Sequence, residues 1–370
     1  MIYTAILEKE SREEQKSESR TVSRMQRAAR SWIDLLSWND MATAVPSVIK
    51  AMAGRPVPLR VTHCITYRCN LDCAYCSRHD IPGKELSTGD IRRLLGLFRC
   101  AGTRFWSFNG GEALLREDLG ELLRAGKDLG ITMSFATNGV LIPERIDEIG
   151  DAEMVSVSID GPRDVQDAAR SSSYDAVIKG LDAMAARDIR FNLFSVIGSH
   201  NVDCLDRVLD LAEHYGAGAF FQPVRIQKED DAGNARSYFP EVSRMRRAMT
   251  YLAGEKRRGR PVASSCEYLE SIRESWPERM PPVRCYGGRL FCFITPDGFV
   301  TQCCDTLASA TANEKCNLIT SGMAALESIP PLKCATCYSS LPLEANLFFS
   351  SLRRNPLGAV AKAIRGALRA

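Results

Sequence analysis

The sequence predicts an α/β fold, an incomplete six-unit (β/α) barrel followed by a small cysteine-rich domain. Strand and helix patterns alternate between residue 59 and about residue 225, which calls for a parallel sheet with helices packed outside it. Six such units in about 165 residues fall short of the eight-unit barrel, which needs roughly 250. Seven of the 14 cysteines then lie between residues 285 and 337.

Six segments are predicted as the strands of this sheet. Each is a short run of apolar, β-branched or aromatic residues bounded by helical patterns or by turn-forming residues. They are 59–66, 104–109, 131–137, 154–159, 191–197 and 218–224.

The helices between the strands carry their own signals. Ser87 followed by Asp90 is a capping-box arrangement, and Gly102 is expected to end the helix that they begin. Further helices are predicted at 117–129, 143–149, 173–187 and 203–215.

Changes in composition divide the chain into five segments. The second is the barrel, and the fourth contains a predicted hairpin, FCFITPDGFVTQ, with its turn at Pro296-Asp297-Gly298. The segments are an N-terminal helical extension (1–58), the barrel core (59–226), a helical connecting insert (227–284), the cysteine-rich domain (285–340) and a basic amphipathic helix (341–370).

Composition excludes several classes of protein. Lys and Arg number 48 against 45 Asp and Glu, so the net charge of +3 gives no reason to expect nucleic acid as a partner. No stretch approaches the ~20 apolar residues of a membrane-spanning helix, and the charged N-terminus is not a secretory signal. We therefore expect a cytoplasmic protein, in which 14 reduced cysteines and only 4 histidines indicate thiolate-bound metal.

Three cysteines directly after the first strand are the main candidates for metal ligands. Cys69, Cys73 and Cys76 lie within eight residues and can hold three irons of a cubane cluster. No fourth cysteine has matching local spacing, so one iron would keep an open position. A zinc site, with His79 as fourth ligand, and a set of redox thiols are the alternatives.

The spacing Cys-x3-Cys-x2-Cys after the first strand of a β/α series resembles the signature of the radical S-adenosylmethionine (radical SAM) enzymes. Three further motifs follow in the family's order: FNGGEALLREDL at 108–119, ATNG at 136–139 and SVSIDGP at 156–162. The resemblance covers residue 59 to about residue 225 and implies a partial (β/α)6 TIM-like barrel. Four ordered motifs together are more specific than any one of them.

The resemblance implies a [4Fe–4S] cluster whose open iron binds S-adenosylmethionine through its amino and carboxylate groups. One-electron reduction would release methionine and a 5′-deoxyadenosyl radical, which abstracts hydrogen from a substrate. Seven residues on the family's motifs are expected to bind this cofactor, and they lie in the cysteine loop or near strand ends. They are Tyr75, Gly110, Gly111, Glu112, Asn138, Ser158 and Asp160.

Their residue types suit that role, although each also has a structural interpretation. Two adjacent glycines let backbone approach a ligand closely, and Glu112 or neighbouring carbonyls would accept from its ammonium group. Asn138, Ser158 and Asp160 would bind ribose or methionyl groups at the strand ends, and Tyr75 would lie at the adenine. Glu112 could instead be a solvated side chain, Tyr75 a packed aromatic, and Asn138 and Asp160 turn formers.

A second set of four cysteines flanks the predicted hairpin. Cys285, Cys303, Cys334 and Cys337 could bind an iron–sulfur cluster or a structural zinc ion. Their pattern resembles the twitch form of the family's SPASM/twitch extension, which implies an auxiliary [4Fe–4S] cluster that transfers electrons. Cys304 and Cys316 depart from the pattern and could replace or supplement a ligand.

The substrate and partners are less defined by the sequence. The tail 356–370 presents apolar residues on one helical face and basic residues elsewhere, as a helix lying on a membrane's inner face would. We expect oxidation, dehydrogenation or epimerisation of a small polar or lipid-linked molecule, with a flavodoxin or ferredoxin as electron donor. Peptide maturation is an alternative, but the 58 residues before the first strand lack the pattern of a peptide-binding winged helix. A non-catalytic iron–sulfur or zinc protein is the alternative of another class.

Overall fold

The computed structural model describes residues 55–76, 83–225, 237–304, 313–330 and 334–354. The N-terminal extension up to residue 54 and the basic segment from residue 355 lie outside the described residues. The predictions of an N-terminal helix and of a membrane-binding tail therefore stay predictions.

An eight-stranded sheet forms the centre of the molecule. Its order is β6-β5-β4-β3-β2-β1-β7-β8, and every neighbouring pair is parallel except β7 and β8, which are antiparallel. The strands are β1 (Arg60–Thr66), β2 (Phe105–Gly110), β3 (Thr132–Thr137), β4 (Met154–Ser158), β5 (Phe191–Ile197), β6 (Gly218–Pro223), β7 (Phe291–Ile294) and β8 (Val300–Thr301). The prediction of six parallel strands in a partial barrel is confirmed.

Helices cover the outside of the sheet and form the segments after β6. They are α1 (Thr88–Ala101), α2 (Leu119–Asp128), α3 (Ile142–Arg145), α4 (Arg163–Ala169), α5 (Tyr174–Ala186), α6 (Leu205–Tyr215), α7 (Val242–Arg257), α8 (Cys266–Ser275), α9 (Leu318–Ser321) and α10 (Ser340–Arg354). Their buried faces and the outer face of the sheet share one apolar core, in which Leu94, Trp106 and Phe135 are nearly inaccessible to solvent.

Local sequence signals act as predicted at the first helix. The Ser87 hydroxyl accepts a hydrogen bond from the Asp90 amide at 3.1 Å and caps α1. Gly102 ends the helix with φ of 117°, a left-handed conformation that glycine adopts without steric cost.

The predicted hairpin is present, but it does not stand apart from the barrel. Thr295 donates its backbone N–H to the Phe299 carbonyl at 2.9 Å, and Gly298 adopts φ of 91° in the turn. Strand β7 then pairs with β1, so that Ile294 lies beside His63. The cysteine-rich segment thus extends the barrel sheet at its β1 edge, which no local pattern in the sequence indicated.

Helix α10 packs between the two ends of the sheet. Its Ser340 amide donates to Gln222 Oε1 on β6 at 2.8 Å, while Asn346 Oδ1 accepts from the Tyr286 amide before β7 at 2.8 Å. Phe349 of α10 packs with Phe291 in a small apolar cluster. The described helices include none long and apolar enough to cross a bilayer.

Candidate active site

A cavity of about 340 Å³ lies inside the sheet and is lined by all three cysteines of the first set and by one cysteine of the second. Cys69, Cys73 and Cys76 line it from the loop after β1. Cys303 and Cys304 line it from the segment after β8. Its lining includes the carboxyl ends of the parallel strands, where ligands of such sheets bind.

The cysteine loop is held by the end of helix α4. The Ala74 amide donates to the Ala169 carbonyl at 3.0 Å. The Asp72 amide donates to the Ser171 hydroxyl at 3.1 Å, and that hydroxyl donates to the Asp72 carbonyl at 2.8 Å. These long-range bonds place three thiols from one short loop at the mouth of the cavity.

Cys73 is buried, and Cys69 is partly buried. Burial raises the pKa of Cys73 to about 11 and also raises the pKa of Cys69. Two N–H donors already face their sulfur atoms at 4.0 Å, Asn138 Nδ2 at Cys69 and Arg170 Nη1 at Cys73. Cationic iron would compensate the buried thiolates, and hydrogen bonds to sulfur are one determinant of a cluster's potential. The donor set therefore fits an iron–sulfur cluster.

The described cysteines, histidines and carboxylates form no group of three that could hold a single metal ion. A zinc site requires four ligands around one ion, whereas a cubane places each thiolate on a separate iron. His79, the candidate fourth zinc ligand, lies outside the described residues.

Gly110 and Gly111 line the cavity, but the reason for their lack of a side chain differs from the expected one. A Cβ at Gly110 would lie 2.3 Å from the Thr66 carbonyl oxygen, and one at Gly111 would lie 2.2 Å from the Arg68 carbonyl oxygen. The close approach is therefore to the chain that leads from β1 into the cysteine loop. The two glycines let the β2 end pack against that loop.

Glu112 is not among the residues that line the cavity, and its expected contact with the cofactor's ammonium group stays a prediction. The side chain is fully buried, and its two oxygens accept from the backbone amides of Leu114 at 2.9 Å and Asn138 at 2.7 Å. Burial raises the pKa of this carboxyl group. Glu112 acts as a brace between the loops that follow β2 and β3.

Asn138 lines the cavity at the end of β3 and is both a turn former and a site residue. Its Oδ1 accepts from the Val140 amide at 3.0 Å, the turn role that its sequence suggested. Its Nδ2 donates to Asn70 Oδ1 at 2.7 Å and faces the sulfur of Cys69. The amide thus connects β3 to the cysteine loop.

Asp160 is not among the residues that line the cavity, and its expected contact with ribose or methionyl groups stays a prediction. Its Oδ2 accepts from the Tyr75 hydroxyl at 2.5 Å and from Arg170 Nε at 2.8 Å, and its side chain is fully buried. Burial alone would raise the pKa of Asp160. Arg170, aided by the hydrogen bond from Tyr75 and by the His200 ring 3.6 Å away, instead holds that pKa well below its usual range. The ionised carboxylate fixes two cavity-lining side chains.

Tyr75 lines the cavity in a shell of aromatic and cationic groups. The Arg170 guanidinium lies 5.4 Å from the centre of its ring, and the His200 ring stacks on it at 5.6 Å. Burial raises the pKa of Tyr75 well above its usual value, so its hydroxyl stays protonated and donates to Asp160. Tyr75 is therefore a packed aromatic that also faces the cavity.

Ser158 lines the same mouth at the end of β4. Sequence reasoning missed Arg170, which faces the same cavity and connects Asp160 to the Cys73 sulfur. It also missed Asn201, whose Nδ2 donates to the Asp160 carbonyl at 2.8 Å. Neither residue is part of a motif. The sequence therefore carried no signal for them beyond their positions after the SVSIDGP segment.

The auxiliary cysteines are more exposed than the first set. Cys285 and Cys334 are exposed, while Cys303 and Cys337 are partly buried. Cys303 packs against the cluster that contains Tyr286 and Phe349. Residues 305–312 and 331–333, which adjoin this set, lie outside the described chain.

The two additional cysteines have different environments. Cys304 Sγ accepts from Arg225 Nη1 at 2.9 Å and lines the cavity beside Cys303. Cys316 is fully buried, donates to the Ser328 carbonyl at 3.4 Å and packs against Phe299. We assign Cys316 to packing, while Cys304 remains at the cavity.

Residues 64–212 match the family model of the radical SAM superfamily. The chain is 28% identical over 261 residues to the AdoMet-dependent heme synthase of Methanosarcina barkeri, which aligns 65% of this chain with 74% of that protein. It is 32% identical over 212 residues to the mycofactocin maturase MftC of Mycobacterium ulcerans, which aligns 55% of this chain with 56% of that protein. The chain thus spans little more than half the length of that maturase.

The fold is similar to that of SuiB from Streptococcus suis, solved with its precursor peptide SuiA. The TM-score is 0.62 with 16% identity, over 80% of this chain and 71% of SuiB. At this identity the likeness concerns the fold alone.

Proposed function

Because residues 64–212 match the family model of the radical SAM superfamily, we propose that this protein cleaves S-adenosylmethionine reductively and abstracts hydrogen from a substrate bound in the cavity. When bound, the reduced cluster supplies the electron that splits S-adenosylmethionine into methionine and a 5′-deoxyadenosyl radical. The observation that carries the proposal is the convergence of Cys69, Cys73 and Cys76 on one cavity wall.

The chain's own side chains would hold the cofactors. The three thiolates would each bind one iron, and no fourth cysteine at the same local spacing would claim the remaining one. Ser158 and Arg170 would bind the polar end of S-adenosylmethionine, because a hydroxyl and a guanidinium suit a carboxylate. Tyr75 would lie against the adenine, and Asn138 would donate to the cofactor or to the Cys69 sulfur.

Behind these groups, two buried carboxylates would hold the cavity-lining residues in position. Asp160 would hold the Tyr75 ring and the Arg170 guanidinium, and Glu112 would hold the turn that carries Asn138. Gly110 and Gly111 would let the end of β2 lie against the cysteine loop. These residues act through their neighbours, since neither carboxylate lines the cavity.

The second cysteine set would bind an auxiliary [4Fe–4S] cluster through Cys285, Cys303, Cys334 and Cys337. Cys303 lines the cavity that the first set also lines, which supports electron transfer between a substrate radical and this cluster. The electrons for the first cluster would come from a flavodoxin or ferredoxin.

The substrate in this proposal is a small polar or lipid-linked molecule that undergoes oxidation, dehydrogenation or epimerisation. The cavity's size supports a compact substrate, since its volume is at the lower end of the ~300–1,000 Å³ typical of small-molecule sites. Peptide maturation is the second candidate, because one relative is a maturase and the SuiB structure contains a precursor peptide.

The test is the anaerobic reaction of the reconstituted protein with dithionite and S-adenosylmethionine, followed by quantification of 5′-deoxyadenosine and methionine. We expect both products in equal amounts from wild type and from Cys316→Ala, and none above background from Cys76→Ala. Absence of 5′-deoxyadenosine from iron-loaded wild type would indicate the non-catalytic iron–sulfur protein instead.

A further inference from the structure

The lower half of the cavity has an unusual wall for a barrel interior. Below the cysteine loop it follows the strands toward their amino ends, where barrels are normally filled by bulky branched side chains. Strands β1 to β4 instead present small hydroxyl groups there. They are Thr62, Ser107, Thr132, Ser134 and Ser156.

Three of these hydroxyl residues lie side by side across the sheet. Thr62 pairs in register with Ser107, and Ser107 pairs with Ser134 on the next strand. In a parallel sheet, side chains at paired positions point to the same face. The hydroxyls therefore form a row that faces the cavity.

Most hydroxyl groups of this row have no hydrogen-bond partner among the described residues. Ser134 Oγ makes a long hydrogen bond to the Trp106 carbonyl at 3.4 Å. The hydroxyls of Thr62, Ser107 and Ser156 form no hydrogen bond with any residue in the described ranges, and neither does that of Thr132. Hydroxyl groups in a protein interior require partners, so this wall is suited to a ligand that donates and accepts many hydrogen bonds.

Aromatic side chains flank the hydroxyl row within the cavity. Phe293 of β7 lies in register with Thr62, and Phe291 lies in register with Arg60. Phe194 and Phe220 line the cavity from β5 and β6. Flat apolar rings beside a row of hydroxyl groups suit a ligand with C–H groups on one face and hydroxyl groups around its edge.

The cavity is also rich in positive charge. Arg60 lies at its floor, in register with Phe105 and Phe291. Burial lowers the pKa of Arg60 to about 10, so it stays protonated at neutral pH. Three guanidinium groups line the cavity in the described chain, from Arg60, Arg170 and Arg225. One carboxylate, Glu153, lines it and forms an ion pair with Arg190 at 2.6 Å.

The dimensions limit the size of such a ligand. Arg60 and Thr66 are the two ends of β1, so the floor lies roughly 20 Å from the cysteine end at ~3.3 Å per residue. The cavity of about 340 Å³ must hold S-adenosylmethionine as well. The iron–sulfur cluster and S-adenosylmethionine would take up the end near the cysteine loop, so the space beside Arg60 suits a compact ligand rather than a long chain.

From this wall, floor and size we infer that the substrate is a hydroxylated ring bearing a carboxylate or a phosphate, with Arg60 binding the anionic group and the row that includes Thr62 binding the hydroxyls. This rests on the proposed function, because it assigns the substrate of that reaction. It makes Arg60 and Thr62 specificity-determining residues.

The experiment measures binding to the anaerobic holoenzyme with S-adenosylmethionine present, by titration calorimetry. The probes are D-glucuronate, D-glucose 6-phosphate and neutral D-glucose. We expect at least one anionic probe to bind about tenfold or more tightly than glucose, the gain of a charge-assisted hydrogen bond. Which anion binds distinguishes a sugar acid from a sugar phosphate.

Two variants and one control test whether Arg60 and the hydroxyl row bind the probe. Arg60→Gln should weaken the anionic probe about tenfold, to the level of glucose, while Arg92→Gln should leave it unchanged. Arg92 is an exposed residue of α1 paired with Glu121. Thr62→Val has the same shape as the native side chain, removes a hydroxyl without a protein partner, and should weaken the probe several-fold even if Arg60→Gln fails to fold.

Failure of this inference is distinguishable from failure of the proposed function. If wild type produces 5′-deoxyadenosine but binds no anionic probe more tightly than glucose, only the substrate assignment is overturned. The same holds if a short peptide binds in place of every sugar, or if Thr62→Val binds the probe as wild type does. If the anionic probe binds but no 5′-deoxyadenosine forms, the proposed function fails and the sugar site stands.

Discussion

The carboxylate of Glu112 accepts a hydrogen bond from the backbone amide of Asn138 at 2.7 Å, across 26 residues of sequence. Its other oxygen accepts from the Leu114 amide, so one buried side chain holds the turns that follow β2 and β3. Both turns contribute residues to the cavity. The acidic residue of the GGE segment thus shapes the site from behind.

Replacement of Glu112 by Gln should destabilise the protein. The glutamine nitrogen cannot accept, so one of the two buried amides would lose its partner, at a cost of about 1–3 kcal/mol. Urea unfolding of the cluster-free protein measures this change. Glu121→Gln is the control, since Glu121 is exposed in a surface ion pair and should cost less than about 1 kcal/mol. Equal stabilities of the two variants would contradict the role of Glu112 in holding the turns that follow β2 and β3.

The contact between Glu112 and Asn138 illustrates which features the sequence can predict. The cap at Ser87, the helix end at Gly102 and the strand over residues 191–197 depend on neighbours within a few positions, and each was predicted correctly. The orientation of Glu112 depends on Asn138, which folding brings beside it. A motif can locate such a residue at the site, but it cannot say which way the side chain turns.

Substitutions of Asp160 and Arg170 should have strongly coupled effects on the free energy of unfolding. Arg170→Gln leaves a fully buried carboxylate without its cation, and we expect a loss of about 3–5 kcal/mol. The double variant Asp160→Asn/Arg170→Gln removes both charges and should lose clearly less than the sum of the single variants. Urea unfolding of all four proteins gives the coupling energy. Additive losses would show that the two groups do not depend on each other.

Arg170 also shows why the rest of the site escaped prediction. It follows α4 in a segment with no recognisable motif, and its guanidinium reaches both Asp160 and the cavity only because α4 turns back over the cysteine loop. The extension of the sheet by β7 has a similar origin. Its pairing with β1 joins residues more than 200 positions apart, which no local pattern encodes.

Glu344 should make stability depend on pH. Burial raises the pKa of this α10 side chain to about 7, although the Ser265 amide donates to it at 2.7 Å. Below pH 4.5 the carboxyl is protonated in both folded and unfolded states, and its contribution is fully present. As pH rises from about 4.5 to about 7, the unfolded state ionises first and stability falls, by about 3 kcal/mol at 1.36 kcal/mol per pH unit.

Urea unfolding of the cluster-free protein between pH 4.5 and pH 8 measures this dependence. The Glu344→Gln variant, which stays neutral, should lack that part of the decline. Glu270→Gln is the control, because Glu270 is partly exposed on α8 and its ion pair in the described chain is with Arg257 at 3.7 Å. A decline of the same size in Glu344→Gln and wild type would refute the assignment to Glu344.

Iron content should separate the two cysteine sets. We expect about eight irons in wild type, the content of two [4Fe–4S] clusters, and about four in Cys285→Ala/Cys334→Ala. The triple variant Cys69→Ala/Cys73→Ala/Cys76→Ala should also retain about four. Cys316→Ala, which removes a thiol assigned to packing, should retain about eight. A triple variant without iron would mean that the second set does not bind a cluster independently.

The proposed function requires that the cluster on Cys69, Cys73 and Cys76 has an iron that no protein ligand occupies. Electron paramagnetic resonance of dithionite-reduced Cys285→Ala/Cys334→Ala, which should contain that cluster alone, tests this requirement. We expect addition of S-adenosylmethionine to shift the g values of the cluster signal. A signal that stays unchanged with saturating S-adenosylmethionine would contradict it.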